Sequence, residues 1–400
     1  MDLRSDKPYS LLKNGILHSF PSLHENIDTD VAIIGAGISG ALIAWHLTRA
    51  GIPCVVADKR HAAMGSTAAS TSILQYEIDT PLQQLIKLTG EKNAADAYLL
   101  CRKSIYDLQK ICLLLNEDAG FEMKPSFQFA SQKKDESSLK TEYQLRKNIG
   151  IDIEYLSSSH IKEKFGFKKS AGLLSQDGAI VDVYKLTLLL LKDAVNKGAQ
   201  VFDNTLITKI NYNKNGGELQ TEWGKKIKAK KVIIACGYES QKYIQRKVET
   251  LYSTYAIVSE PLANKEYWYK NAIIWETARP YLYIRPTPDN RILVGGKDDE
   301  FYNPDKRDSR ISKKSKQLKK DFDALFPHIP FRTDFAWAGT FGSTKDGLPF
   351  IGCLPAKPHT YFALGYGGNG ITFSVIAAQL IKELLRGSQN PNLKLFSFNR

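Results

Sequence analysis

The stretch "VAIIGAGISG" at residues 31–40 constrains this chain more than any other. Four apolar residues run straight into glycines at 35, 37 and 40. Such a continuous apolar run suits a parallel strand buried on both faces. The next stretch, "ALIAWHLTRAG", has a helical pattern that Gly51 can close, and "PCVVAD" reads as a second strand ending at Asp58. Together they make a βαβ unit of the length that dinucleotide folds use. In that unit Gly35 makes the tight turn, Gly37 lets backbone approach a pyrophosphate, and Gly40 lets the helix pack closely on the strand. The helix start at Ile38 and Ser39 offers free N–H groups and partial positive charge to phosphates. Asp58 can accept from ribose hydroxyls, while the adjoining Lys59 and Arg60 leave a 2′-phosphate open. The unit alone admits NAD, NADP or FAD.

Similar elements recur along the 400 residues. "DVYKLTLLLLKDAVNKGAQVFDN" reads as a helix closed by Gly198 and followed by a strand, and "KKVIIACG" reads as another buried strand. "TYFALGYGGNGITFSVIAAQLIKELLRG" repeats the order strand, glycine turn, helix. Between them, "YLYIRPTPDNRILVGG" has the aromatic and β-branched signature of a hairpin. The expected architecture is α/β. A Rossmann-type cofactor domain is assembled from segments 28–120, 180–245 and 335–400. An α+β substrate domain on a mostly antiparallel sheet is inserted as 121–179 and 246–334, and residues 1–27 form an N-terminal extension.

The segment "GSTAASTSILQYEID" at 65–79 favours a longer cofactor than NAD. Small hydroxylated residues directly after the second strand suit a backbone that wraps a second phosphate. With it the chain resembles the D-amino-acid oxidase superfamily of FAD-dependent oxidoreductases, close to glycine oxidase and sarcosine oxidase. The resemblance spans most of 28–390. It rests on "DVAIIGAGISG" with Asp58, on "GSTAASTS", on "VIIACG", and on "DGLPFIG" followed by "GYGGNGIT". It implies that Ser66, Thr67, Thr71, Ser72 and Ile73 lie along FAD, with Asp58 and Lys59 at the adenosine end. It places Ile207, Ala235 and Gly237 beside the cofactor, and Gly367, Gly368, Asn369, Gly370, Ile371 and Thr372 against the flavin ring. A helix N-terminus near Gly370 would stabilise negative charge on a reduced flavin. Positions where relatives attach flavin covalently align here with Gly339 and Ala69, so the expected FAD is non-covalent.

On the substrate side, the resemblance places Arg285 as the anchor of a substrate carboxylate. Tyr283 shares its sheet face two residues away, with Tyr281 two further along. Tyr76 and Glu77 follow the wrapping segment and are further candidates to line the site, as is Tyr255. A lysine that promotes reaction with oxygen in sarcosine oxidase-like proteins aligns with Leu293, with Lys297 four residues on. Oxygen and a separate electron acceptor therefore both remain open as partners. The expected reaction is oxidation of the C–N bond of a small amine or amino acid. The alternatives are a dehydrogenase of 2-hydroxy acids or polyol phosphates, and a flavin-bound assembly factor without turnover.

The net charge of +13 concentrates in "GKKIKAKK" and "KKSKQLKK", neither of which carries aromatics to stack bases, so no nucleic-acid partner is expected. No apolar run approaches the roughly 20 residues of a membrane helix. Five scattered cysteines form no metal-ligand pattern, and with the absence of a secretion signal they point to the cytoplasm.

Overall fold

The computed structural model describes residues 1–263 and 266–400. Its first sheet is built on parallel strands in the order Lys357–Leu364, Lys226–Ile234, Ile27–Ile34, Cys54–Ala57 and Gln200–Phe202. The apolar run of the central strand is explained by its two covered faces. Val31 and Ile33 pack towards the helices Ile38–Arg49, Val183–Asn196 and Gly370–Leu385, whereas Ala32 and Ile34 join a second cluster with Ile207 and Leu219. Those two residues come from the hairpin Ile207–Asn213 and Gly216–Thr221, which closes the opposite face.

The second sheet is antiparallel except where Ile273–Glu276 runs parallel to Glu122–Phe129. Its central strands are Thr250–Ser259, Ile292–Asp299 and Tyr283–Pro286, flanked by Thr333–Ser343 at one edge. The fold is thus mixed α/β with two sheets. The chain changes sheets at points the sequence does not mark. Thr333–Ser343 pairs along Thr250–Ser259, so residues 335–343 belong to the second sheet and not to a third cofactor segment. Ile73–Leu74, inside the first expected segment, pairs with Ala179 and Ile180 of the second sheet. Residues 1–27 also pack against the body: Leu3, Tyr9 and Leu23 are buried, and Arg4 bridges Gly339.

The basic runs are solvated faces. The Lys226–Ile234 strand begins inside the first run, burying Ile227 and Ala229 while Lys228 and Lys230 point outward. The helix Ile311–Leu325 buries Leu318 and Phe322 beneath the lysines of the second. Among the described residues no helix is long and apolar enough to cross a membrane.

Candidate active site

One long cleft runs between the two sheets, from Asp58 at one end to Gly367–Ile371 at the other. At the Asp58 end the chain turns at Gly35 with φ +109, and a Cβ there would sit 2.5 Å from the Ala235 carbonyl oxygen. Only glycine takes both that conformation and that contact. Gly40 does not line the cleft; a Cβ on it would fall 1.8 Å from the Gly35 oxygen, so it allows helix and strand to meet. The helix Ile38–Arg49 has no side-chain cap, and its first N–H, on Ile38, is bound by the Thr67 hydroxyl at 3.1 Å. Gly35, Gly37, Ile38 and Ser39 line the cleft with Ser66, Thr67, Thr71 and Ile73 of the wrapping segment. The Ser66 hydroxyl is buried without a partner there, which is what an absent phosphate ligand would leave.

Asp58 accepts from the Ala36 and Arg60 amides at 2.7 and 2.9 Å, so its carboxylate also braces the glycine turn. Burial pushes its carboxyl up, against those two hydrogen bonds. Lys59 and Arg60 do not stand free for a 2′-phosphate. Both bind Glu239, at 2.5 and 3.0 Å. Burial opposes ionisation of Glu239, yet the hydrogen bonds from these two cations prevail and hold its carboxyl down at about 2. Ile207, Ala235 and Gly237 complete this end.

At the other end the helix Gly370–Leu385 also starts without a side-chain cap. Asn369 turns its amide away instead, donating to the carbonyls of Gln75 and Glu77 at 3.1 and 2.9 Å. This pins the glycine turn to the wrapping segment and leaves the helix N-terminus facing the cleft. Gly367, Gly368, Asn369, Gly370 and Ile371 line it, but Thr372 does not; its hydroxyl folds back on Asn369 at 3.0 Å. Asp79, which sequence reasoning missed, accepts from the Gly368 amide at 2.7 Å and from the Tyr281 hydroxyl at 3.0 Å.

Three further expectations need correction. Arg285 does not face this cleft. It lies two residues along the strand from Tyr283, about 7 Å further, beyond the wall formed by residues 70–72. Its Nε donates to the Thr71 carbonyl at 2.6 Å and it lines a separate cavity with Lys13, Asp182 and Lys185. Ser72, with φ +58, faces that second cavity too. Tyr76 is fully buried behind the lining, against Tyr98 and Arg146. Glu77 does line the cleft: Ser126 donates to its Oε1 at 3.1 Å, Arg146 stands 3.8 Å away, and its Oε2 has no partner. Burial pushes the Glu77 carboxyl up, with Arg146 opposing.

Tyr283 lines the cleft beside Tyr281 and Trp275, with ring centroids 5.9 and 6.2 Å apart along the row. Asp298 joins them, its Oδ1 buried without a partner and its carboxyl pushed up to about 6 by burial. The sequence held one signal for it. Gly295 and Gly296 inside a strand pattern mark a bulge, and the register does slip opposite Thr254, turning Asp298 inward. Leu293 lines the second cavity, and Lys297 pairs with Asp321. Neither lines the cleft.

Comparison with known proteins agrees with this fold. The chain is 26% identical to gamma-glutamylputrescine oxidoreductase of Escherichia coli over 92% of this chain and 86% of the relative. It is 24% identical to glycine oxidase of Geobacillus kaustophilus over 93% of this chain and 97% of that one. The crystal structure of that glycine oxidase superposes with a TM-score of 0.79 at 20% identity, covering 94% of this chain and 99% of the other. A Mycoplasma pneumoniae L-alpha-glycerophosphate oxidase with FAD bound shares the fold at a TM-score of 0.76 and 18% identity, over 92% and 98% of the two chains. The family model for FAD dependent oxidoreductases matches residues 30–384, and the chain belongs to that family of enzymes.

Proposed function

We propose that the protein oxidises the C–N bond of a small amine or amino acid with non-covalently held FAD. The observation that carries the reading is the pair of helix N-termini, at Ile38 and Gly370, that face the two ends of one cleft with no cap from their own N-cap residues. The first suits a pyrophosphate and the second suits a ring that gains negative charge on reduction. When bound, FAD supplies the hydride acceptor for the C–N bond. The chain's own share is to place the donor carbon and exclude water, and Trp275, Tyr281 and Tyr283 form an apolar wall for both tasks.

Two features weigh against the hydroxy-acid or polyol-phosphate alternative. Among the described lining residues there is no histidine to take an alcohol proton, and no arginine or lysine at the Gly370 end to hold a carboxylate or phosphate. Non-covalent attachment is supported by Gly339 and Ala69, which both line the cleft and offer no nucleophile. Cys353 lies exposed, outside it. All five cysteines are unpaired, in keeping with a reducing cytoplasm. The test is direct. Denaturant should release a yellow flavin, and amines should bleach it anaerobically where hydroxy acids do not. Bleaching by hydroxy acids alone would favour the alternative, and bleaching by no donor would favour the assembly factor. Peroxide formed in air at the turnover rate would identify oxygen as acceptor.

A further inference from the structure

We infer that the substrate carries a second cationic centre beyond the oxidised C–N bond and no carboxylate, making it a diamine or polyamine recognised by Asp298 and the aromatic row beside it. This rests on the amine-oxidation reading and narrows it. The basic side chains lining the cleft, among the described residues, are Lys59, Arg60 and Lys242. The first two are held by Glu239 at the Asp58 end, and Lys242 belongs to the Gly237–Tyr243 turn there. The substrate end therefore has no cation to pair with a carboxylate, since Arg285 is spent on the Thr71 carbonyl behind the wall.

That end is built for the opposite charge. Asp79, Glu77 and Asp298 all line it. Asp79 is occupied by Gly368 and Tyr281, and Glu77 is opposed by Arg146, which leaves Asp298. Two basic residues lie near enough to act on Asp298, and both are engaged elsewhere. Lys314 binds the Lys297 carbonyl and Asp299, and the exposed Arg279 binds the Asp79 carbonyl and covers the Tyr281 ring. Beside Asp298, Tyr283 lies so close along Gly295 that a Cβ there would fall 2.2 Å from the ring. A desolvated carboxylate next to electron-rich ring faces favours an ammonium group and rejects an anion. The amine being oxidised must lose its proton to give up hydride. The positive charge recognised here is therefore a second one.

The experiment uses the FAD-loaded protein and isothermal titration with tetramethylammonium and with pivalate, a compact branched anion, neither of which offers an amine for oxidation. Tetramethylammonium should bind and pivalate should not. Asp298→Asn should weaken the cation by about tenfold or more, the range of a hydrogen-bonded or paired charge. Tyr283→Leu should weaken it by about fivefold, whereas Tyr283→Phe keeps the ring face and the affinity. The tyrosine pair decides the matter if the Asp298 variant does not fold. Tighter binding of pivalate, or cation affinity indifferent to both positions, overturns the inference. Anaerobic flavin reduction then compares 1,4-diaminobutane with 4-aminobutanoate. The diamine should be the better donor by about a hundredfold in kcat/KM, as expected where one partner would bury an unpaired charge; the reverse order overturns the inference. Cation binding with no reduction by any amine supports the cation site and instead overturns the amine-oxidation reading.

Discussion

Arg285 shows how one side chain separates two readings of the same sequence. As a substrate anchor, its loss would raise KM for carboxylates alone. In the structure it is buried, its guanidinium donates to the Thr71 and Pro286 carbonyls, and burial pushes its pKa down to about 10. Arg285→Ala should therefore cost about 1–3 kcal/mol by stranding buried carbonyls. It should weaken FAD through the wrapping segment and leave the ratio of KM values for carboxylate and non-carboxylate amines unchanged. Denaturant melts and FAD titrations measure the first two effects, and steady-state kinetics the third. Glu249 is the other residue with a sharp consequence. It is buried with both carboxylate oxygens unpartnered, one of them 2.5 Å from where a Cβ on Gly342 would lie. Burial raises its carboxyl from 4.5 to about 8. The native state thus keeps a proton that the unfolded chain releases, so this contribution to stability is full below pH 4.5 and is lost as pH rises through about 8. Glu249→Gln should raise the melting temperature clearly at pH 9 and little at pH 5. An equal shift at both would mean that Glu249 is ionised in the fold.

Among the elements, the first βαβ unit was legible because its apolar run, glycines and closing aspartate are local in sequence. The Gly370 end of the cleft was not. Asp79, Trp275, Tyr281 and Asp298 meet because a loop after the wrapping segment packs on a sheet some two hundred residues later. Periodicity gave the face of Tyr283 and Arg285 correctly and said nothing about where along the strand the cleft ends. Ser72 failed for a similar reason: a positive φ turns it through the wall. The helix Gly370–Leu385 carries its own prediction. A Cβ on Gly370 meets no protein atom within 4 Å, so a substitution there does not clash with the fold. Gly370→Asp would place a negative charge at the helix start, where about 0.3–1 kcal/mol of dipole stabilisation is at stake. It should lower the flavin reduction potential by about 10–20 mV for a two-electron couple. Gly370→Ala should leave it unchanged, and equal potentials in all three proteins would show that the helix N-terminus does not act on the ring.

Over the whole molecule, the cofactor cleft lies between the two sheets, and the N-terminal residues help to strap them together. The Ser5 amide donates to the Ala338 carbonyl at 3.0 Å and the Thr340 amide donates to the Leu3 carbonyl at 2.9 Å, Ala338 and Thr340 both lying on the edge strand of the second sheet. Arg4 reaches the other way, donating to the Met64 carbonyl at 2.9 Å beside the wrapping segment. Leu3 itself lines the cleft and is buried. The strap and FAD therefore hold the same two bodies, and each should stabilise the other. Free FAD at a hundred times its Kd adds about 2.7 kcal/mol to the stability of a protein that binds it only when folded. Arg4→Ala removes a hydrogen bond to a partly buried carbonyl, worth about 1 kcal/mol, and should loosen the strap without touching the substrate end. It should raise the Kd for FAD by about fivefold, given 1 kcal/mol of coupling, while kcat at saturating FAD stays as in the parent. Melting curves recorded across an FAD series would show the two proteins diverging as FAD rises, by up to the about 1 kcal/mol of coupling, because the protein with the lower Kd gains more from each concentration of FAD. A parallel offset at every FAD concentration would mean that residues 1–5 stabilise the fold independently of the cofactor.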